Sequence, residues 1–172
     1  MKIFINAGHG GKDTGAVSKN GTKESEITKK VSSLLACKLI QGGYDIEYFK
    51  QKTSYTDVSQ AENTSKSDLF ISIHCNSAAS ASANGVEVLY YPNSTKGKNC
   101  ALEVQKELVK ITKLKDRGIK ARNDLHVLKR TKAVAILVEL AFLSNPAEEK
   151  LLIENPDIFA NAIFEGIKKI KL

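Results

Sequence analysis

Apolar residues along this chain come in two textures. Short continuous runs at Lys2 to Asn6, Tyr44 to Phe49, Asp68 to Cys75, Val86 to Tyr91 and Val134 to Leu140 are rich in Ile, Val, Phe and Tyr and bounded by Gly, Pro, Asn or Ser. Such runs predict strands. Between them, apolar residues recur every three or four places. Ile27, Val31, Leu34, Leu35 and Leu39 predict a helix that begins near Glu24 and ends at Gly42 and Gly43. Further helices are predicted over Val58 to Lys66, Cys100 to Leu114, Ala147 to Ile153 and Ile158 to Ile170, with Pro146 and Pro156 near the last two starts, where proline is tolerated. Short extended pieces are expected at Gly118 to Lys120 and Leu125 to Leu128. Strands alternating with helices predict a single α/β domain: a mostly parallel twisted sheet with helices on both faces. No internal repeat or interdomain linker interrupts the 172 residues, which suffice for one buried core.

Charge changes the picture little. A net charge of +7 raises the question of nucleic acid. The lysines are scattered, aromatic residues are sparse, and no nucleic-acid motif is present, so no nucleic-acid partner is expected. An anionic wall or surface polymer suits such a charge equally well. No apolar tract is long enough for membrane insertion. The first residues lack a secretory pattern, so synthesis in the cytoplasm without an export signal is expected. Cys37, Cys75 and Cys100 are odd in number and lack CxxC spacing, so buried, reduced thiols are expected rather than a disulfide scaffold or a cysteine metal site.

Candidate chemistry sits where the strands end. The first strand delivers His9 into a turn whose Gly8, Gly10 and Gly11 supply permissive backbone. A histidine there can ligate metal, act as a base, or be an ordinary loop residue. The strand DLFISIHC delivers His74, and AVAILVEL delivers Glu139. Ligands gather beyond the carboxyl ends of strands in open α/β sheets, so these three ends are expected to converge. Two imidazoles and a carboxylate, with a fourth position for water, form a common catalytic zinc shell. Glu24 and Glu26 compete for the carboxylate place. Glu24 shares the buried helix face of Ile27 and Val31, whereas Glu26 is turned about 200° away, toward solvent. Strand parity separates Cys75 from His74 and lets Asn76 point the same way as His74. Glu139 in its apolar strand is either a carboxylate compensated by a metal site or a strand-mouth residue paired with a lysine. Burial would raise its pKa into the range useful for proton transfer. His126 reads as a partly exposed structural residue in an extended context.

These residues carry a family resemblance. GHGGKDTGAV (8–17), KESEI (23–27), DLFISIHCNS (68–77), ANGVEVLYY (83–91), KDRGIK (115–120) and VELAFLSNPAEEKLL (138–152) occur in order and at spacings that resemble the zinc-dependent N-acetylmuramoyl-L-alanine amidases of the amidase-3 type, found among phage endolysins and bacterial autolysins. The resemblance runs from Ile3 to nearly the C-terminus and implies one catalytic domain over 1–172, with no separate wall-binding domain visible. It implies Zn2+ as cofactor, with ligands at His9, Glu24 and His74 and a catalytic carboxylate at Glu139. Asn6, Asp13 and Asn76 are candidates for supporting the ligands or touching substrate. The implied reaction is hydrolysis of the bond between N-acetylmuramic acid and L-alanine, with peptidoglycan as partner and the cell wall as site of action. The chain departs from the usual family pattern at Asn6 (more often Asp), Ala7 (often Pro), Cys75 (commonly Ala) and Val58 (typically Arg). A zinc exopeptidase acting on free peptides and a non-catalytic basic wall-binding module are the alternative readings.

Overall fold

The structure is a computed structural model that describes residues 1–50 and 55–172. Its strands are β1 (Lys2–Ala7), β2 (Asp45–Lys50), β3 (Leu69–Asn76), β4 (Val86–Tyr90), β5 (Asp116–Ala121) and β6 (Val134–Phe142). Between and after them lie α1 (Glu24–Gln41), α2 (Tyr55–Ser65), α3 (Thr95–Thr112), α4 (His126–Arg130), α5 (Pro146–Glu154) and α6 (Pro156–Ile167). The strands form one six-stranded sheet in the order β2-β1-β3-β6-β4-β5. Neighbours pair in parallel except β4 and β6, which run antiparallel.

Side chains alternate across the sheet, so each strand serves two layers. Ile3, Ile5, Ile71, Ile73, Ile136 and Val138 point into one core, where Val31, Leu35 and Leu39 of α1, Val104 and Leu108 of α3, and Phe159 and Ile163 of α6 meet them. Phe4, Phe70, Ala135 and Leu137 point the other way, into a smaller cluster closed by Val58 of α2 and by Val127 and Leu128 of α4. There Phe4 stacks on both Phe49 and Phe70, with ring centroids 5.8 Å apart in each pair. Burying each aliphatic side chain in such layers contributes about 1.5–3 kcal/mol, set against the conformational entropy lost on ordering it.

The mostly parallel sheet with helices on both faces is as expected, and three local expectations are corrected. Leu125 to Leu128 is not extended: it enters the five-residue helix α4, in which Val127 and Leu128 are both buried. Strand alternation would have put one of that pair outside, and a helix this short shows no period in sequence. Helix α3 starts at Thr95 rather than Cys100, because Ser94 caps it by accepting the Gly97 N–H at 3.0 Å. That first turn, TKGKN, is polar and gives no apolar signal. Cys37 is exposed, not buried; it lies two residues past Leu35, about 200° around α1 from the buried stripe.

Candidate active site

The apolar face of the smaller cluster turns polar toward the carboxyl ends of β1, β3 and β6. In register across the sheet, Asn6 pairs with Ser72, and His74 pairs with Glu139. Glu139 in turn lies opposite Glu87 of β4. Phe4, Phe70 and Leu137 therefore give way, within two or four residues along the same face, to Asn6, His74 and Glu139. The site is the continuation of a thin hydrophobic layer.

His9 arrives from the turn after β1 with a positive φ of 62°, and Gly10 and Gly11 follow at 145° and 61°. A non-glycine residue in this region carries strain that the surroundings must hold. Gly8 serves a different purpose from the one expected: a Cβ there would lie 2.5 Å from His74 Nε2 and 2.6 Å from the Ile73 carbonyl. It is glycine so that the turn can close on the second histidine. Gly15, at φ 63°, likewise leaves room for Glu24 and His9, whose atoms would lie 2.6 Å from its Cβ. The Thr28 hydroxyl donates to the Gly8 carbonyl at 2.6 Å, tying α1 to the turn.

Glu24 is the first residue of α1 and is buried. Its Oε2 accepts the Ala16 N–H at 2.9 Å, and its Oε1 accepts the Cys75 N–H at 2.9 Å. The same Oε1 lies 3.2 Å from His9 Nε2 and 3.1 Å from His74 Nδ1. The imidazoles meet edge to face, centroids 4.9 Å apart. One donor atom from each of His9, Glu24 and His74 lies within 4.8 Å of the others, a group that could hold a metal ion. Glu26, by contrast, is exposed beside Lys23.

Electrostatics follow from this crowding. Burial alone would lower the His9 pKa, but its bonds to Glu24 and Asp13 outweigh burial and raise it to about 9. Burial pushes Glu24 upward, and the two histidines overcome this and hold its carboxylate well below the usual range. Glu139 lacks such partners. Burial, with Glu24 and Glu87 adding negative charge, raises it to about 7 against the opposing pull of His74 and His9. The residue keeps partial exposure, while its buried Oε2 has no hydrogen-bond partner. An orphaned carboxylate oxygen is costly unless a cation or a water meets it.

Asp13 accepts from His9 Nδ1 at 2.9 Å, which turns Nε2 toward Glu24, and its other oxygen accepts the Gly15 N–H. Asn6 lies on the site's face, but its amide donates to Ser72 at 2.9 Å rather than supporting His9. Asn76 donates to Glu87 at 2.8 Å, past a register shift in β3. Val58 is fully buried in the smaller core. Two supports were missed from sequence. Glu87 is held by Asn76 and by Arg117 Nε at 2.9 Å, and its signal, a carboxylate inside the apolar run VEVLY, matched that of Glu139. Glu149 of α5 accepts from Ser18, Asn20 and Thr22 and so pins the loop between His9 and Glu24; no local pattern marks it. His126, expected in a strand, instead opens α4 and faces a cleft of about 610 Å³ that is also lined by Asn6, His9, Asp13 and His74.

The chain's residues 3–169 match the N-acetylmuramoyl-L-alanine amidase family Amidase_3. It is 32% identical to the probable cell wall amidase LytH of Staphylococcus epidermidis over 97% of this chain and 57% of that protein. It is 35% identical to the endolysin of Bacillus phage SPP1 over 95% of this chain and 62% of that one. It thus spans about three-fifths of either protein's length. The crystal structure of N-acetylmuramoyl-L-alanine amidase from Clostridium difficile 630 superposes with a TM-score of 0.90 at 33% identity, covering 97% of this chain and 94% of that one. A match over nearly the whole chain, with the histidine and glutamate cluster at the ends of its strands, makes this protein a member of the N-acetylmuramoyl-L-alanine amidase family Amidase_3.

Proposed function

We propose that this chain hydrolyses the amide bond between N-acetylmuramic acid and L-alanine in peptidoglycan, with Zn2+ held by His9, Glu24 and His74 and with Glu139 as the proton-transferring carboxylate. The observation that carries the reading is the convergence of three donors within 4.8 Å beside Glu139, whose Oε2 is buried and unpaired. Two imidazole nitrogens and one carboxylate oxygen are the donor set of many catalytic zinc sites, and they leave a position for water. Bound there, the metal supplies Lewis acidity that polarises the scissile carbonyl and acidifies water.

The chain's own residues do the rest. Asp13 fixes the His9 tautomer and keeps Nε2 free to ligate. The Cys75 and Ala16 N–H groups hold the Glu24 carboxylate in place. Glu139 takes a proton from the attacking water and returns it to the departing alanine nitrogen, and its burial, which raises its pKa in the metal-free site, favours its acceptance of that proton. The resulting products are a free lactyl carboxylate and a free alanine amine. The enzyme acts at the cell wall, and the described residues include no helix long and apolar enough to cross a membrane.

Purified cell walls incubated with the protein should release stem peptides bearing a new alanine N-terminus, with the glycan uncut and with activity abolished by chelator. New amines at other residues from free peptides would favour the exopeptidase reading. Absence of both lysis and bound zinc would favour a wall-binding module.

A further inference from the structure

The cleft beside the donor cluster has two unlike walls. His9, His74, Asn6 and Asp13 form one, and α4 with the segment before it forms the other. On the second wall stand Lys129 and Arg130, both exposed to the cleft. Among the described residues neither is in an ion pair, although the cleft contains carboxylates. Asp13 is engaged by His9. Asp124 is held by Arg122, which gives it two hydrogen bonds at 2.7 and 2.6 Å. The cleft's acids are therefore matched inside the protein, and two cations are left over.

Their backbone is fixed. Val127 and Leu128 anchor α4 in the smaller core, the Thr131 hydroxyl donates to the Val127 carbonyl, and the Arg130 carbonyl accepts from Asn63 at 3.0 Å. The Lys132 N–H is held by Glu62 and Asn63 of α2. Two unpaired cations on a rigid element facing a ligand-sized cleft favour an anionic ligand group.

The substrate's chemistry says which group that is. In the muramoyl peptide the lactyl carboxyl is consumed in the scissile amide and the N-acetylated sugars are neutral. Its negative charge lies in the free carboxylates of the stem peptide. We infer that Lys129 and Arg130 form a subsite for a free stem-peptide carboxylate, which makes the α4 wall the part of the cleft that distinguishes acidic from amidated stems. This inference rests on the amidase reading.

The test uses two soluble N-acetylmuramoyl tripeptides, one with free carboxylates and one with them amidated, and follows release of the alanine amine. The wild-type chain should favour the acidic substrate by about tenfold in kcat/KM, and added salt should shrink that preference. In the double variant Lys129→Ala, Arg130→Ala the preference should fall toward one, chiefly through a higher KM for the acidic substrate. The variant Lys29→Ala, Lys30→Ala, which removes the same charge from the exposed surface of α1, should keep it. Equal handling of both substrates by the wild type, or a preference that survives the double variant, would overturn the subsite. So would inhibition by a phosphodiester wall polymer that depends on Lys129 and Arg130 when no carboxylate preference exists. If neither substrate yields the alanine amine, the amidase reading itself fails and takes the subsite with it.

Discussion

The two faces of the sheet are built from the same strands and differ in what covers them. On one side α1, α3 and α6 pack against the sheet, and α6 also packs on α1 and α3, so apolar side chains fill the layer from end to end. On the other side α2 and the short α4 cover only the amino-terminal half. There the apolar residues stop at Phe4, Phe70 and Leu137, and Asn6, His74 and Glu139 continue the same rows into an open cleft. Alternation along a strand lets one segment serve both purposes: Ile73 and Val138 lie in the thick core, while the adjacent His74 and Glu139 meet at the site. The thick layer supplies stability, and the thin one can leave polar groups exposed to a ligand.

The strongest way to break this comparison is Glu139→Gln. Activity on muropeptide should fall about a thousandfold, within the range general acid–base groups supply, with zinc content near one per chain. Retained activity would show that the thin face is not where the proton is handled. Stability should move the opposite way. In the metal-free native state the Glu139 carboxyl keeps its proton to about pH 7, above the unfolded value of 4.5, so the metal-free wild type loses stability as pH rises from 4.5 through 7. The Gln variant lacks that loss, and its melting temperature relative to wild type should be more favourable at pH 8 than at pH 4.5.

Leu35→Ala probes the other face. Leu35 is fully buried between α1 and the sheet, so truncation should cost about 2–5 kcal/mol in denaturant unfolding. The folded fraction should keep its zinc and its specific activity. A loss of activity per folded molecule would mean that the two layers are more tightly coupled than their separate clusters suggest.

The thick face and the meeting of His9, Glu24 and His74 were both legible in the sequence for the same reason: the elements that form them have strong periodicity. The stripe Ile27, Val31, Leu35, Leu39 placed α1 and, through it, separated Glu24 from Glu26. Apolar runs ending on His74 and Glu139 predict them at strand ends, and both lie in the carboxyl-terminal part of their strands, which run on to Asn76 and Phe142. What escaped was carried by features without a period. Helix α4 is too short to display one, so the sequence around His126 predicts an extended piece where a helix forms. The first turn of α3 is set by a cap rather than by burial. The close approach at Gly8 and the long-range clamp of Glu149 on the loop at 18–22 depend on tertiary contacts that no local pattern records.

A smaller effect is expected at the edge of the site. Asp13→Asn keeps the shape but weakens the acceptor that orients His9, so zinc affinity should drop about 10–100-fold in a competition assay with a chelating dye. Thermal stability of the metal-free protein should change by about 0.5 kcal/mol or less, as Asp13 is largely exposed. A variant that binds zinc as tightly as wild type would remove Asp13 from the supporting set.

The smallest expected effect is on metal-free stability, and its sign is the informative part. His9 without metal has a pKa of about 9, above its ordinary 6.5, because Glu24 and Asp13 favour the imidazolium despite burial. Its contribution to stability is fully present below pH 6.5 and is lost as pH rises through 9. Zinc requires the neutral imidazole, so binding must displace that proton, and affinity should rise across the same interval. The His9 part of the metal-free stability should therefore decline between pH 6.5 and 9 while the zinc-induced rise in melting temperature grows. The decline should be absent in His9→Ala, which separates it from the other groups that titrate there. Calorimetry in buffers of different ionisation enthalpy would count the released proton directly. Proton release near zero at pH 7.5 would mean that His9 already stands neutral beside Glu24, and that the thin face is prepared for metal without the His9–Glu24 ion pair that the geometry places there.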